Sequence, residues 1–279
     1  MIGTAYAAGT VLNALATGKG SAFGIEIKTT VKLKPEEDKE ISITLNGRKI
    51  KSFVAERILR AENIGGEVVV KSEIPGGSGL GSSSAFVNAL LIALYKFRDF
   101  EINAHEILKT NARVSLETGI SYTGAFDDAA ASLLGGFVVS DNIGMKLYRW
   151  DRPKFHAAVL IPEFTRGKVN WREIRKNSAE VQPAFEYALD GNYCRAMRKN
   201  TEYYCRMIGY PLEIAEAGWK VNVCCGLSGN GPAYVAFGSK SEMKSIAEVW
   251  RPYGKVIVRK VPDSPSEDVQ VPESLFKDP

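Results

Sequence analysis

One run of ten residues, Pro75-Gly76-Gly77-Ser78-Gly79-Leu80-Gly81-Ser82-Ser83-Ser84, holds the residue types that can cradle a phosphate group. Glycine adopts backbone angles that other residues resist, so consecutive N–H groups in such a run can turn inward and form a concave donor surface. The serine hydroxyls add further donors, or an oxygen ligand for magnesium. A helix directly after the run would contribute unpaired N–H groups and the positive end of its dipole. Two familiar phosphate loops do not fit these residues. A Walker A loop needs lysine after its last glycine, where Ser82 stands, and the dinucleotide fingerprint G-x-G-x-x-G differs in spacing from Gly77-Ser78-Gly79-Leu80-Gly81. The H-R-D and D-F-G signatures of protein kinases do not follow either.

The flanking patterns place this run between a strand and a buried helix. A β-branched stretch, Glu67 to Ile74, leads into the loop, and Ala85 to Phe97 is apolar nearly all round, as a core helix is. Upstream, Phe23 to Leu33 and Ile41 to Leu45 alternate apolar and polar residues. Asn46-Gly47 supplies a turn and Lys49 to Ala55 resumes the alternation, which predicts a hairpin. Downstream, Asn103 with Glu106 has the form of a capping box, and the helical spacing continues to Gly119, which puts Glu117 in a last turn. Thr123-Gly124 precede a helix over Ala125 to Leu134, then Gly135-Gly136 and a strand at Phe137 to Ser140. Beyond Pro153 the pattern predicts a strand (His156 to Ile161), helices (Trp171 to Leu189, Asn192 to Ile208, Pro211 to Ala217) and a strand at Val221 to Cys225. A second glycine loop follows, then a strand (Ala233 to Gly238), a helix (Ser241 to Trp250) and a strand (Lys255 to Val261). Strands and helices mix without regular βαβ alternation, so the expected class is α+β in two layers, with an N-terminal domain over 1–150, a C-terminal domain over 151–261 and a tail over 262–279.

The combined motifs resemble the GHMP kinase superfamily, whose fold is that of galactokinase, homoserine kinase and mevalonate kinase. Pro75-x-x-x-Gly79-Leu80-Gly81-Ser82-Ser83-Ser84 is similar to its second motif, and Gly226-Leu227-Ser228-Gly229-Asn230-Gly231-Pro232-Ala233 to its third. Within the superfamily, the segments Ala5 to Thr10, Gly18 to Gly24 and Thr123 to Ala129 resemble the archaeal type of shikimate kinase. That resemblance implies a GHMP-type two-domain fold, ATP with Mg²⁺, and shikimate as the acceptor. It also implies that Pro75 through Ser84, with Gly229 and Asn230, hold the nucleotide. The metal would be held by Ser83 with a glutamate, and a catalytic aspartate would lie about eleven residues after that glutamate. Glu117 and Asp128 have this separation, with Asp127 the immediate neighbour of Asp128. Two residues apart by one position on a helix point about 100° away from each other, so one of the two acids faces the substrate, and Asp128 is the expected one.

The chain departs from the superfamily pattern in two places. Mevalonate-type members have Pro-Gly-Lys in the first motif where Ala8-Gly9-Thr10 stands here, and Lys19 is the candidate to replace the lost charge. The third motif carries Asn230-Gly231-Pro232 in place of an all-small glycine run. The carboxylate of shikimate calls for an arginine or lysine, and Arg113 and Arg166 are the candidates.

Composition narrows the partners. The 279 residues are 45% hydrophobic and 24% charged, an ordinary globular balance, and the net charge of +4 is spread along the chain. It lacks the clustered footprint of a nucleic-acid binder, and no hydrophobic stretch reaches the length of a membrane span. Cys194, Cys205, Cys224 and Cys225 form no C-x-x-C pair, and the chain has only two histidines, so a structural zinc site is not expected. Cys224 and Cys225 read as small buried residues of a strand in a reducing compartment, the cytoplasm. A small molecule is the expected partner of a monomer or homodimer. The four prolines of Val261 to Pro279 predict a loose tail or a surface strap.

Overall fold

The computed structural model describes residues 1–36, 39–165 and 167–277. Its first half is built on a sheet that begins with a long antiparallel pair, β1 (Ile2–Leu12) and β2 (Lys19–Glu36). β3 (Ile41–Leu45) turns through Asn46-Gly47 into the short β4 (Arg48–Ile50). The predicted hairpin is present but ends early, because a helix, α1 (Phe53–Ala61), takes over the second half of its expected return strand. Ser52 caps that helix by accepting from Ala55 N at 3.3 Å, and Val54, Ala55, Ile58 and Leu59 are buried along one face. Period 3.6 thus overrides the short alternation of Lys49 to Ala55.

β5 (Gly65–Ser72) lies parallel to β3 and antiparallel to β2, and delivers the chain to the glycine loop. Three helices follow: α2 (Ser82–Phe97), α3 (Ala104–Glu117) and α4 (Phe126–Leu134). α2 is buried almost all round and lies so close on β1 that a Cβ at Gly3 would sit 2.1 Å from Ala89 O. β6 (Phe137–Asp141) and β7 (Lys146–Asp151) complete a seven-stranded sheet of order β4-β3-β5-β2-β6-β7, with β1 paired to β2.

The second half is a four-stranded antiparallel sheet with helices packed on it. β8 (His156–Pro162) is followed by α5 (Trp171–Lys176), α6 (Pro183–Leu189), α7 (Tyr193–Ile208) and α8 (Glu213–Lys220). β9 (Cys224–Leu227), β10 (Tyr234–Gly238), α9 (Lys240–Trp250) and β11 (Gly254–Lys260) close the sheet in the order β11-β8-β10-β9. The single helix expected over Trp171 to Leu189 is two helices joined by a 3₁₀ turn at Ser178–Glu180. Pro183, which has no N–H to donate, stands in the first turn of α6, where that lack costs nothing. Phe23 of β2, Phe137 of β6, Phe237 of β10 and Tyr193 of α7 pack with ring centroids 4.7–5.5 Å apart, the Phe237 ring edge-on to Phe23 and Phe137, and join the two halves.

Cys224 corrects the expectation of a free thiol: it is bonded to Cys194, with their Cα atoms 5.1 Å apart, so α7 is tied to β9. Cys205 and Cys225 are free and buried, and burial pushes the Cys205 thiol up to about 11 and the Cys225 thiol up to about 12.

The C-terminal segment is a strap over the first half. Gly136 N donates to Pro262 O and Ser266 N to Leu133 O, Gln270 pairs with Asn103, and Phe276 bridges to Leu147. Leu275 is completely buried at its end. Leu275→Ala should therefore lower stability by about 2–5 kcal/mol, the range for a buried leucine that leaves a cavity. Thermal melting checks this, and an unchanged midpoint would mean that the strap is not anchored there.

Candidate active site

Two glycine loops meet back to back. In the first, Gly77, Gly79 and Gly81 have φ of 70°, 86° and 64°, a left-handed conformation that favours glycine at all three positions. Ser78 closes the turn by donating to Pro75 O at 2.7 Å. The carbonyls of Ser78, Gly79 and Leu80 are occupied, accepting from Ala233 N, Ser228 Oγ and Ala8 N at 3.0, 2.8 and 3.1 Å. In a trans peptide the N–H points opposite to the C=O, so the amides of Gly79, Leu80 and Gly81 turn away from those partners. Their carbonyls thus anchor the loop while their N–H groups stay available. From the second loop, Ser228 Oγ also accepts from Thr10 N at 3.1 Å, and Gly229 N donates to Thr10 Oγ1 at 2.8 Å. Asn13 Nδ2 donates to Asn230 Oδ1 at 2.9 Å. The β1–β2 connection, the first glycine loop and the second are thus one hydrogen-bonded unit.

In front of this unit lies a cavity of about 200 Å³. Its wall includes Gly77, Gly79, Gly81, Ser82, Ser83, Ser84, Gly229 and Asn230, together with Thr10 of β1 and Asn13, Ala14 and Leu15 from the β1–β2 connection. Ser115 of α3, the segment Ile120 to Thr123, and Ala125, Asp127 and Asp128 close the other side. The N-termini of α2 and α4 both open onto it. Each helix starts after a left-handed residue, Gly81 or Ala125, with no side-chain cap; the first N–H groups of α2 remain free for a ligand, whereas in α4 the N–H of Asp127 is taken by Asn142.

The two acids in the first turn of α4 have different surroundings. Asp127 is buried and accepts from Asn142 Nδ2 at 2.8 Å, while its own N donates to Asn142 Oδ1 at 3.2 Å. Asn142 is itself fixed by its N donating to Gly18 O and by Ser140 Oγ donating to its Oδ1 at 2.7 Å. β2 passes so near that a Cβ at Gly20 would sit 2.2 Å from Asp127 Oδ2. Asp128 has no such support: its Oδ1 is closed off from solvent and meets no donor among the described residues. Burial raises both carboxyls above the usual range, Asp127 against the opposing pull of Asn142. Asp128 rises well above it, with the charge of Asp127 adding to the effect. The pair therefore tends to hold one proton between them, and Asp128 is its better host.

The expected site residues divide accordingly. Asp127, Asp128, Ser82, Ser83, Ser84, Gly77, Gly79, Gly81, Gly229 and Asn230 converge on one cavity. Pro75, Ser78 and Leu80 shape the loop from behind, and Gly76 stands exposed outside the wall. Glu117, the expected metal ligand, is elsewhere: its carboxylate pairs with Arg57 at 3.1 Å, both side chains about half exposed. Arg113 is exposed on the same side of α3 and does not reach the cavity. The reason is helix geometry. Arg113 and Glu117 lie about 200° from Ser115, and Ser115 is the α3 residue that faces inward. Lys19 also points away, its ammonium 4.3 Å from the ring centroid of Phe185. Arg166 lies outside the described residues. Sequence reasoning missed Thr10, Asn13, Ser115 and Asn142, which have in common only that they are small polar residues and carry no shared local motif.

Comparison with known proteins identifies the family and the fold. Residues 48–136 match the family described as GHMP kinases N terminal domain. A shikimate kinase of Archaeoglobus fulgidus is 62% identical over 273 residues, covering 98% of this chain and 97% of that protein. The shikimate kinase of Methanothrix thermoacetophila is 36% identical over 268 residues, covering 92% and 91%. Among solved structures, the homoserine kinase of Cytophaga hutchinsonii superposes with a TM-score of 0.70 at 18% identity, over 94% of this chain and 96% of that one. The mevalonate kinase of Methanococcus jannaschii does so with a TM-score of 0.71 at 16% identity, over 93% and 97%. The structures share the fold, the sequence relatives share nearly the whole chain, and the protein belongs to the GHMP kinase family.

Proposed function

We propose that this chain transfers the γ-phosphoryl group of ATP to a hydroxyl of shikimate, giving ADP and shikimate 3-phosphate. The observation that carries the reading is the near-full-length relative at 62% identity that bears the name shikimate kinase. The cavity supports it chemically, since one wall offers backbone donors for phosphate and the opposite wall offers carboxylates for an alcohol.

In this reading the first turn of α2 and the amides of Gly79 to Gly81 receive the phosphate oxygens, where donors fixed before the reaction meet the charge that builds on the transferred group. The acceptor hydroxyl lies against the first turn of α4. Its oxygen attacks the γ-phosphorus, the bond from that phosphorus to the β-bridging oxygen breaks, and the hydroxyl proton passes to Asp128 once that carboxyl has lost its own proton, the form that rising pH favours. Asn142 holds Asp127 beside it in its ionised form.

The donor set fits a magnesium ion. Ser83 and Ser115 offer hydroxyl oxygens on the cavity wall, and Ser115 gives its proton to Asn111 Oδ1 at 3.2 Å, which leaves its lone pairs free. No group of three or more acids, histidines or cysteines converges among the described residues, as suits an ion that takes most of its ligands from phosphate and water. When bound, the ion neutralises charge on the β- and γ-phosphates. No described helix is long and apolar enough to cross a membrane.

A coupled ADP-release assay with shikimate, homoserine and mevalonate offered separately tests the proposal. Turnover is expected with shikimate alone, and turnover with homoserine but not shikimate would replace the acceptor while leaving the kinase chemistry standing.

A further inference from the structure

We infer that Arg175 recognises a carboxylate on the acceptor. The inference rests on the kinase reading above and names the cation that the acceptor end of the cavity requires. Of the candidates read from the sequence, Lys19 and Arg113 point elsewhere, and Arg166 lies outside the described residues.

Arg175 sits at the end of α5, one of the helices of the second half, yet it reaches back to the β1–β2 connection. Its Nε donates to Leu15 O at 3.2 Å, and Leu15 is part of the cavity wall. Its guanidinium carbon lies 5.1 Å from the ring centroid of Trp171, and Trp171 in turn stacks on Tyr122, another wall residue, with centroids 6.0 Å apart. The head group is therefore held on two sides, by a carbonyl of the cavity wall and by an aromatic face that stacks on another wall residue, while Arg175 itself is exposed beside the wall rather than part of it. Among the described residues it makes no ion pair with any acid, and its two terminal nitrogens have no hydrogen-bond partner. Among the described residues the Nε bond to Leu15 O is the side chain's one hydrogen bond. A planar fork with its Nε already engaged presents both terminal N–H groups in the geometry that meets a carboxylate bidentately. Arg172 is the natural contrast, because it lies over the same indole, 5.3 Å from its centroid, but has no bond to the cavity wall.

The arrangement gives the acceptor two fixed points. The carboxylate is held at Leu15 and Trp171, and the hydroxyl is presented to the first turn of α4. Tyr204 braces the β1–β2 connection that carries Leu15 from behind, its hydroxyl donating to Asn13 O at 3.0 Å and accepting from Ala16 N at 3.0 Å.

The test compares shikimate with its methyl ester in wild-type, Arg175→Gln and Arg172→Gln proteins, with KM measured for the acceptor and for ATP. For the wild type and Arg172→Gln, the acid is expected to exceed the ester in kcat/KM by on the order of 10- to 100-fold, the scale of a hydrogen-bonded charge. In Arg175→Gln that preference should collapse toward unity through a rise in acceptor KM. The KM for ATP and the melting temperature should stay near wild type, and Arg175→Lys should restore part of the preference. If Arg175→Gln retains the full preference for the acid, the inference is overturned while the kinase reading survives. If the wild type phosphorylates neither form, the acceptor assignment itself has failed.

Discussion

Asp128→Asn is expected to reduce turnover by on the order of 10²- to 10⁴-fold, the range attributed to a positioned proton acceptor, and to leave ATP affinity within a few fold. The same substitution should make the ligand-free protein more stable at neutral pH. The folded protein holds the Asp128 carboxyl well above its ordinary range, because its Oδ1 is buried without a donor and Asp127 adds a like charge. A folded-state pKa above the unfolded one means that the folded chain binds more protons between the two values. Stability is therefore full below the ordinary carboxyl pKa and declines as pH rises toward the folded value. An amide does not titrate, so the variant escapes that decline, and its melting temperature should exceed the wild type's at pH 7 but not at pH 3. Each kcal/mol recovered corresponds to about 2–4 °C in a domain of this size. The wild-type kcat/KM should rise with pH through an apparent pKa above the usual carboxylate range, a value that belongs to the Asp127–Asp128 pair jointly. Near-normal turnover in Asp128→Asn would remove the residue from the chemistry. A melting difference that is flat with pH would remove the electrostatic explanation.

Gly79→Ala should do the most damage for its size. A Cβ at this position would lie 2.2 Å from Ser228 O and 3.1 Å from Gly231 O, both backbone atoms, and φ there is 86°. The obstacle cannot yield easily, because Ser228 is bonded to Gly79 O and Thr10 N, and Gly229 N is bonded to Thr10 Oγ1. The left-handed conformation costs a β-carbon about 1–2 kcal/mol and the overpacking about 1–3 kcal/mol more. The expected result is a melting temperature lowered by several degrees and loss of the stabilisation that ATP confers on the wild type. Gly76→Ala is the control: an added Cβ there meets nothing within 4 Å, and the melting temperature should not move. Equal behaviour of the two variants would mean that the loop-to-loop contact is not what shapes the phosphate cradle.

These two residues mark the boundary between what could be read along the chain and what could not. The strand from Gly65, the glycine loop and the helix that begins at Ser82 are legible because glycine content, β-branching and unbroken apolar character act over a few consecutive residues. The helix that carries the acids of α4 is legible for the same reason, and the acids themselves were picked out by the resemblance of the motifs to the GHMP kinases. Side-chain direction is another matter. Glu117 stands at the spacing the resemblance demands, yet about two residues of helical rotation carry it to Arg57 on the outside, while Ser115 takes the inner face. Lys19 alternates out to Phe185, and its neighbour Gly20 is the residue that closes on Asp127.

Contacts between distant segments were decided by packing alone. Cys194 and Cys224 are separated by 30 residues and meet only because α7 lies against β9. Arg175 reaches Leu15 across 160 residues of chain, and Asn142 reaches Asp127 from beyond a strand. No local pattern encodes such meetings, since each depends on where whole elements come to rest. Local composition along this chain determined the phosphate loop and most of the elements that carry it and the acids. The tertiary structure decided which polar groups face the cavity, because a side chain's partner is set by helix rotation and sheet register, and both are fixed by burial of apolar surface elsewhere in the molecule.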